Sequence, residues 1–142
     1  MKLAIASDHA GVELKAYLKA QMEAYGHHFE DFGTHTTDSC DYPDYAHPAA
    51  EAVENGTCEL GILICGSANG VCMTANKHQG IRAALVWNTE VAELARQHND
   101  ANMICLPARF LSQEEALTIV MAWLNATYEG GRHQRRVDKI PV

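Results

Sequence analysis

The sequence predicts an α/β domain of three layers, α/β/α, built on a five-stranded parallel sheet. Strand-like apolar runs alternate with helix-like runs along the whole chain, the pattern of a parallel sheet covered on both faces. The apolar run at Leu60 to Ile64 stops abruptly at Cys65 and gives way to Gly66-Ser67-Ala68-Asn69-Gly70, as at the carboxyl end of a buried strand facing a ligand crevice. The length, 142 residues, suits one domain with a real core, and no linker or repeat divides it.

Lys2 to Ala6 reads as the first strand. Leu14, Tyr17, Leu18, Met22 and Tyr25 recur at helical spacing, and Gly26 is a stop signal. His28 to Phe32 is a weaker second strand, followed by a polar, turn-rich stretch from Gly33 to Pro43. Ala46, Ala49, Ala50 and Val53 stripe the next helix. Leu60 to Ile64 is the third strand, Ile81 to Val86 the fourth and Met103 to Leu106 the fifth, with Val91, Leu94, Ala95 and His98 on one helical face between the last two. Ala116, Ile119, Val120, Trp123 and Leu124 bury a final helix. From residue 128 the chain turns basic and poor in apolar surface, a tail expected to dock elsewhere.

The net charge of −7 argues against a nucleic-acid surface, which needs an extended basic field. The N-terminal apolar stretch is too short for a signal peptide and no run reaches membrane-spanning length, so a cytoplasmic protein with no membrane partner is expected. Cys40, Cys58, Cys65, Cys72 and Cys105 are odd in number and lack CxxC spacing, hence reduced thiols. Eight histidines occur without HExxH, and His27-His28, His35 and His47 stand in unlike contexts, so no metal site is expected.

Several residues admit both a plain and a chemical reading. Cys65 is either a small buried hydrophobe or a thiolate whose pKa is lowered by the loop N–H groups of residues 66 to 70, which also suit a developing anion. Asp8 caps the helix after the first strand or acts, with His9, in the crevice shared with Cys65. His98 is a half-buried core histidine or a proton donor and acceptor for opening a sugar ring. Arg109 is a surface cation or a crevice cation. Arg132 and Arg136, four apart, are part of a solvated terminus or reach one phosphate together from a helix. No GxGxxG follows the first strand, which disfavours a dinucleotide.

Ser7-Asp8-His9-Ala10-Gly11, Asp41-Tyr42-Pro43-Asp44-Tyr45-Ala46, the Cys65 loop with Ala75-Asn76-Lys77, Gly80-Ile81-Arg82-Ala83-Ala84, Arg96 to Asn102 and Tyr128 to Gln134 together resemble the ribose-5-phosphate isomerase type B family, which includes galactose-6-phosphate isomerase subunits. The resemblance spans essentially the whole chain, in order. It implies a Rossmann-like fold with a C-terminal extension, residues 128–142, docking on a partner subunit. The implied activity is interconversion of D-ribose 5-phosphate and D-ribulose 5-phosphate through an enediolate, without metal or organic cofactor, at active sites between the subunits of a homodimer or tetramer. By the same resemblance Cys65 is the base, Ser67 positions or polarises the carbonyl, and Asp8 and His98 open the ring. Tyr42 and Asn99 line the sugar, Gly66, Ala68, Asn69 and Gly70 form the anion-binding loop, and His9, Arg109, Arg132 and Arg136 hold the phosphate, the last two from the neighbouring chain.

The sequence departs from the family pattern twice. Val71 stands where one branch carries an acidic base, which places this chain with the cysteine-base group, and Ala68 replaces a frequent Gly, which matters if that position needs positive φ. Rival expectations are an isomerase of a six-carbon sugar phosphate such as allose 6-phosphate or galactose 6-phosphate, a noncatalytic sugar-phosphate-binding module, and, more remotely, a flavodoxin-like nucleotide binder.

Overall fold

The computed structural model describes every residue from Met1 to Val142. Five parallel strands, β1 (Lys2–Ser7), β2 (His28–Asp31), β3 (Leu60–Cys65), β4 (Ala83–Leu85) and β5 (Met103–Pro107), lie in the order β2-β1-β3-β5-β4. Six helices connect or follow them: α1 (Val12–Glu23), α2 (Pro43–Glu54), α3 (Asn69–Ala75), α4 (Thr89–Asn99), α5 (Gln113–Asn125) and α6 (Arg132–Val137). The three-layer α/β/α architecture and the parallel sheet expected from the sequence are present.

Alternate residues of each strand serve two cores, because side chains alternate across a sheet. Leu3, Ile5, Ile62, Ile64, Ile104 and Leu106 pack beneath α1, α4 and α5, around the fully buried Trp123. On the other face, Ala4, Ala6, Leu63, Met103 and Cys105 meet the alanine row of α2 and the inner side of α3. The Trp123 indole N–H donates to the Ala101 carbonyl at 3.2 Å, which ties α5 to the turn that ends α4.

Three local expectations need correction. Tyr25 lies past the end of α1 and is exposed. The buried face of α4 is Ala92 and Ala95, while Leu94 faces solvent, because small residues let the helix approach its neighbours closely. The fourth strand is only Ala83–Leu85. Just before it, Asn76 grips both backbone groups of Ala83 (2.8 and 2.9 Å) and the Asn102 side-chain oxygen accepts from the Arg82 N–H at 2.8 Å. Side-chain amides there replace ladder bonds.

The strand order creates the crevice. From β1 the chain departs to α1 on one face, and from β3 to α3 on the other, so the two connections diverge where β1 and β3 are hydrogen-bonded neighbours. Ligands bind α/β sheets outside the carboxyl ends of strands at such a reversal.

Candidate active site

Asp8 and Cys65 reach the same crevice because their strands end side by side, with Ser7 paired to Ile64. The Asp8 N–H donates to the Ile64 carbonyl at 3.1 Å. One Asp8 carboxylate oxygen accepts from the Ala10 N–H at 2.9 Å, capping the short 3₁₀ turn His9–Gly11 and fixing the side chain at the crevice wall. Gly11 is there for closeness rather than for turn geometry. Its φ is −102°, ordinary for any residue, but a Cβ would fall 2.6 Å from Ile64 and 2.9 Å from the Ser7 side chain.

The loop between β2 and α2 closes over His9. The Cys40 N–H donates to His9 Nδ1 at 3.3 Å, and that loop is anchored by an ion pair in the protein interior. Lys15, 3 % exposed, donates to Asp31 at 2.7 Å and to the Thr34 carbonyl at 2.6 Å. Burial pushes the Asp31 pKa up, but hydrogen bonds from Lys15, the Gly33 N–H and Lys19 outweigh it, leaving the carboxyl below its ordinary value.

Cys65 ends β3 and is 5 % exposed. The next residues turn sharply. Ala68 takes φ 68°, ψ −10°, the left-handed conformation, so the alanine at this position bears backbone strain that glycine would avoid. The Ser67 hydroxyl accepts from the Asn69 N–H at 3.3 Å. The Tyr42 ring lies directly on Gly70, where any Cβ would collide with it. Arg109 follows β5, its N–H donating to the Gly66 carbonyl at 3.1 Å, and its guanidinium lies over Gly66. Val71, the position of the alternative acidic base, is buried in the core at 1 % exposure.

These residues enclose a cavity of about 380 Å³, lined by Asp8, His9, Tyr42, Cys65, Gly66, Ser67, Gly70, Arg109 and Phe110. Phe110, 74 % exposed, was not anticipated; its place directly after Arg109, in the loop that leaves a strand's carboxyl end, is the signal that marks it. All five cysteines are free. Burial pushes the Cys105 thiol far up, whereas a hydrogen bond from Cys105 draws the half-exposed Cys72 down.

His98 and Asn99 do not join this cavity within one chain. They end α4, which leads into the beginning of β5, whereas Cys65 pairs with Pro107 at that strand's end. About 13 Å of strand separates the two edges, at ~3.3 Å per residue. His98 instead stacks on His133, ring centroids 4.3 Å apart and planes within 14°. Asn99 lines a second cavity of about 480 Å³ with Arg82, Ala101 and the C-terminal Ile140 and Pro141. Asp100, capping α4, pairs with Arg82 and Arg96, which makes this acid an anchor.

The tail has more apolar anchorage than its composition suggests. His133 and Val137 of α6 are buried against their own chain, and the Val142 N–H donates to Gln79 at 2.9 Å. Arg132 and Arg136 stay exposed and form no ion pair with the chain's carboxylates.

Two further histidine groups occur. His47 and His78 share a 2.8 Å hydrogen bond, and His78 meets Glu54 at 3.2 Å, clasping the turn before β4 to α2. His98, Glu129 and His133 bring donor atoms within 4.8 Å of one another, close enough to consider a cation. Stacked, nearly parallel rings aim their lone pairs side by side rather than at one point, so the group suits a shared carboxylate better than a metal.

A buried thiol, a carboxylate, an imidazole, a hydroxyl and a guanidinium around a cavity at the reversal point of a parallel sheet define an α/β protein with a site suited to holding a small anionic ligand against a cysteine. The chain belongs to the Ribose/Galactose Isomerase family, whose profile matches residues 3–140. It is 45% identical over 139 residues to the ribose-5-phosphate isomerase B of Escherichia coli, covering 98% of this chain and 93% of the relative. The structure superposes with a TM-score of 0.97 on a ribose 5-phosphate isomerase of Thermotoga maritima, 44% identical, covering 99% and 97% of the two chains. With the ribose-5-phosphate isomerase B of Mycoplasma genitalium, solved with bound ribulose-5-phosphate, the TM-score is 0.94 at 45% identity, covering 98% and 93%.

Proposed function

We propose that this protein interconverts D-ribose 5-phosphate and D-ribulose 5-phosphate in the cytoplasm. The observation that carries the reading is the Cys65 thiol in one cavity with Asp8, His9, Ser67 and Arg109. Family membership and the likeness to a relative solved with ribulose-5-phosphate support it. Ring opening breaks the bond between C1 and the ring oxygen, with a proton supplied to that oxygen and one removed from the anomeric hydroxyl. Cys65, as thiolate, then takes the proton from C2 of the open aldose. The charge passes to the oxygens of an enediolate, which the N–H groups of residues 66 to 70 and the Ser67 hydroxyl stabilise. Returning the proton to C1, with the hydroxyl proton moving from O2 to O1, gives the ketose. His9 and Arg109 hold the phosphate far from the reacting carbons, so that binding orients the chain.

The cavity of one chain lacks the remaining expected groups, and a second copy supplies them. His98, Asn99, Arg132 and Arg136 lie at the other edge of the sheet, and the two arginines are uncommitted to their own carboxylates. In a two-fold homodimer one contact of this kind recurs as its reciprocal, so each subunit completes the other's site. His98 joins Asp8 in ring opening, Asn99 joins Tyr42 along the sugar, and the arginines complete the phosphate clamp.

Turnover on a panel of five- and six-carbon aldose phosphates tests the substrate assignment. Ribose 5-phosphate is expected to give the highest kcat/KM. Equal or higher values for allose 6-phosphate or galactose 6-phosphate would overturn it.

A further inference from the structure

His98 hangs from the last turn of α4, and its side chain is 36 % exposed, so packing alone leaves its ring torsion loosely set. Two neighbours supply the missing constraint. His133, with a side chain only 10 % exposed, presents its ring face to face with His98 at 4.3 Å. Glu129 brings a single carboxylate oxygen to 3.8 Å from His98 Nε2 and 3.4 Å from His133 Nε2, both within ion-pair range. Glu129 is itself fixed by its backbone, whose N–H donates to the Gln97 carbonyl at 2.9 Å, one residue before His98. The segment after α5 and the first turn of α6 therefore fold back on the end of α4 and flank one imidazole at its edge and its face.

We infer that Glu129 and His133 are positioning residues for His98, a carboxylate and a stacked ring that hold its imidazole in the orientation ring opening requires. The inference rests on the assignment of ring opening to His98. A donor whose ring is free to rotate presents its proton to the ring oxygen only part of the time, and orientation of an acid–base group contributes directly to rate.

The chemistry supplies a readout that separates this role from a structural one. Ribulose 5-phosphate has its C5 oxygen esterified and stays open-chain, so exchange of its C1 proton with deuterium from solvent needs Cys65 but no ring opening. Conversion of cyclic ribose 5-phosphate needs both. Glu129→Gln, at a side chain 50 % exposed and thus tolerant of substitution, and His133→Phe, which keeps the stacked ring and removes its nitrogens, are compared with His98→Gln in both assays. Glu129→Gln is expected to slow ribose 5-phosphate turnover about 10-fold, part of the ~10²- to 10⁴-fold effect of a positioned acid–base group, with deuterium exchange within about twofold of wild type. His133→Phe is expected to show the same split to a smaller degree, and Glu129→Asp to recover part of the lost turnover. If His98→Gln itself shows no split between the assays, the ring-opening assignment fails and the inference falls with it. If His98→Gln splits while Glu129→Gln behaves as wild type, or lowers both rates equally, the positioning role alone is overturned.

Discussion

The two edges of one sheet hold groups of similar chemistry in different ways. At the carboxyl edge Asp8, Cys65 and Arg109 follow directly from strands β1, β3 and β5 and are pinned by backbone hydrogen bonds of 3.1 Å or less, around a walled cavity. At the amino edge His98 and Asn99 end a helix, while Arg132 and Arg136 ride on the short α6 with their charges facing outward. The first set is a shaped site with a single guanidinium, that of Arg109. The second is a set of cations and an imidazole without a pocket. The contrast is what the proposed pairing of two copies would reconcile, since each edge holds groups that the other lacks.

Breaking the carboxyl edge at its chemical centre has the largest expected effect. Cys65→Ala should lower turnover by ~2 to 4 orders of magnitude, the range for a positioned acid–base group, while binding of a phosphorylated enediolate mimic persists. Steady-state kinetics and calorimetry on the same preparation check both halves of that statement.

Next in size is the buried support of the loop over His9. Lys15→Met leaves the Asp31 carboxylate with a poorer set of partners and should cost about 3 to 5 kcal/mol in urea unfolding, the range for breaking one side of a buried pair. Asp31 also has a pH consequence. Its folded pKa is depressed, so its contribution to stability is present above the ordinary carboxylate value of 3.8 and is lost as pH falls through the folded value. The acid limb of the stability profile should therefore be shallower in Lys15→Met than in wild type.

At the amino edge, Arg132→Ala with Arg136→Ala should raise KM and leave the fold intact, since both side chains are exposed. Each charge-assisted hydrogen bond to phosphate is worth about 1.5 to 3 kcal/mol, so a rise of at least tenfold is expected in the double variant. An unchanged KM would detach this edge from the phosphate. The smallest effect returns to the carboxyl edge, where Ala68→Gly relieves a left-handed residue and should stabilise the protein by about 1 kcal/mol in the same urea titration.

How much of this was legible in the sequence depends on which rule governs each residue. The carboxyl-edge set was readable because any residue directly after a parallel strand must emerge at the same side of the sheet, whatever its neighbours do. The strain at Ala68 was readable as a condition, and its φ of 68° meets that condition. His98 was joined to Asp8 by the family resemblance alone, since helical periodicity describes a face and carries no information about which end of the helix meets which edge. The face itself was misread at Leu94, since counting large apolar residues overlooks a helix seated on Ala92 and Ala95. Glu129 and His133 lie in a segment expected, from its charge and scarce apolar surface, to dock elsewhere, and only the stack on His98 within the same chain gives them meaning.

The two-edged account is tested most directly by mixing Cys65→Ala with Arg132→Ala/Arg136→Ala, dissociating and reassembling them together, and assaying at substrate far below KM, where the first variant lacks its base and the second its phosphate clamp. Under a two-fold arrangement a mixed dimer has one site with both lesions and one with none, so random pairing should restore about a quarter of wild-type activity. Assembled mixed dimers that remain inactive would contradict the account and would return the phosphate clamp to a single chain.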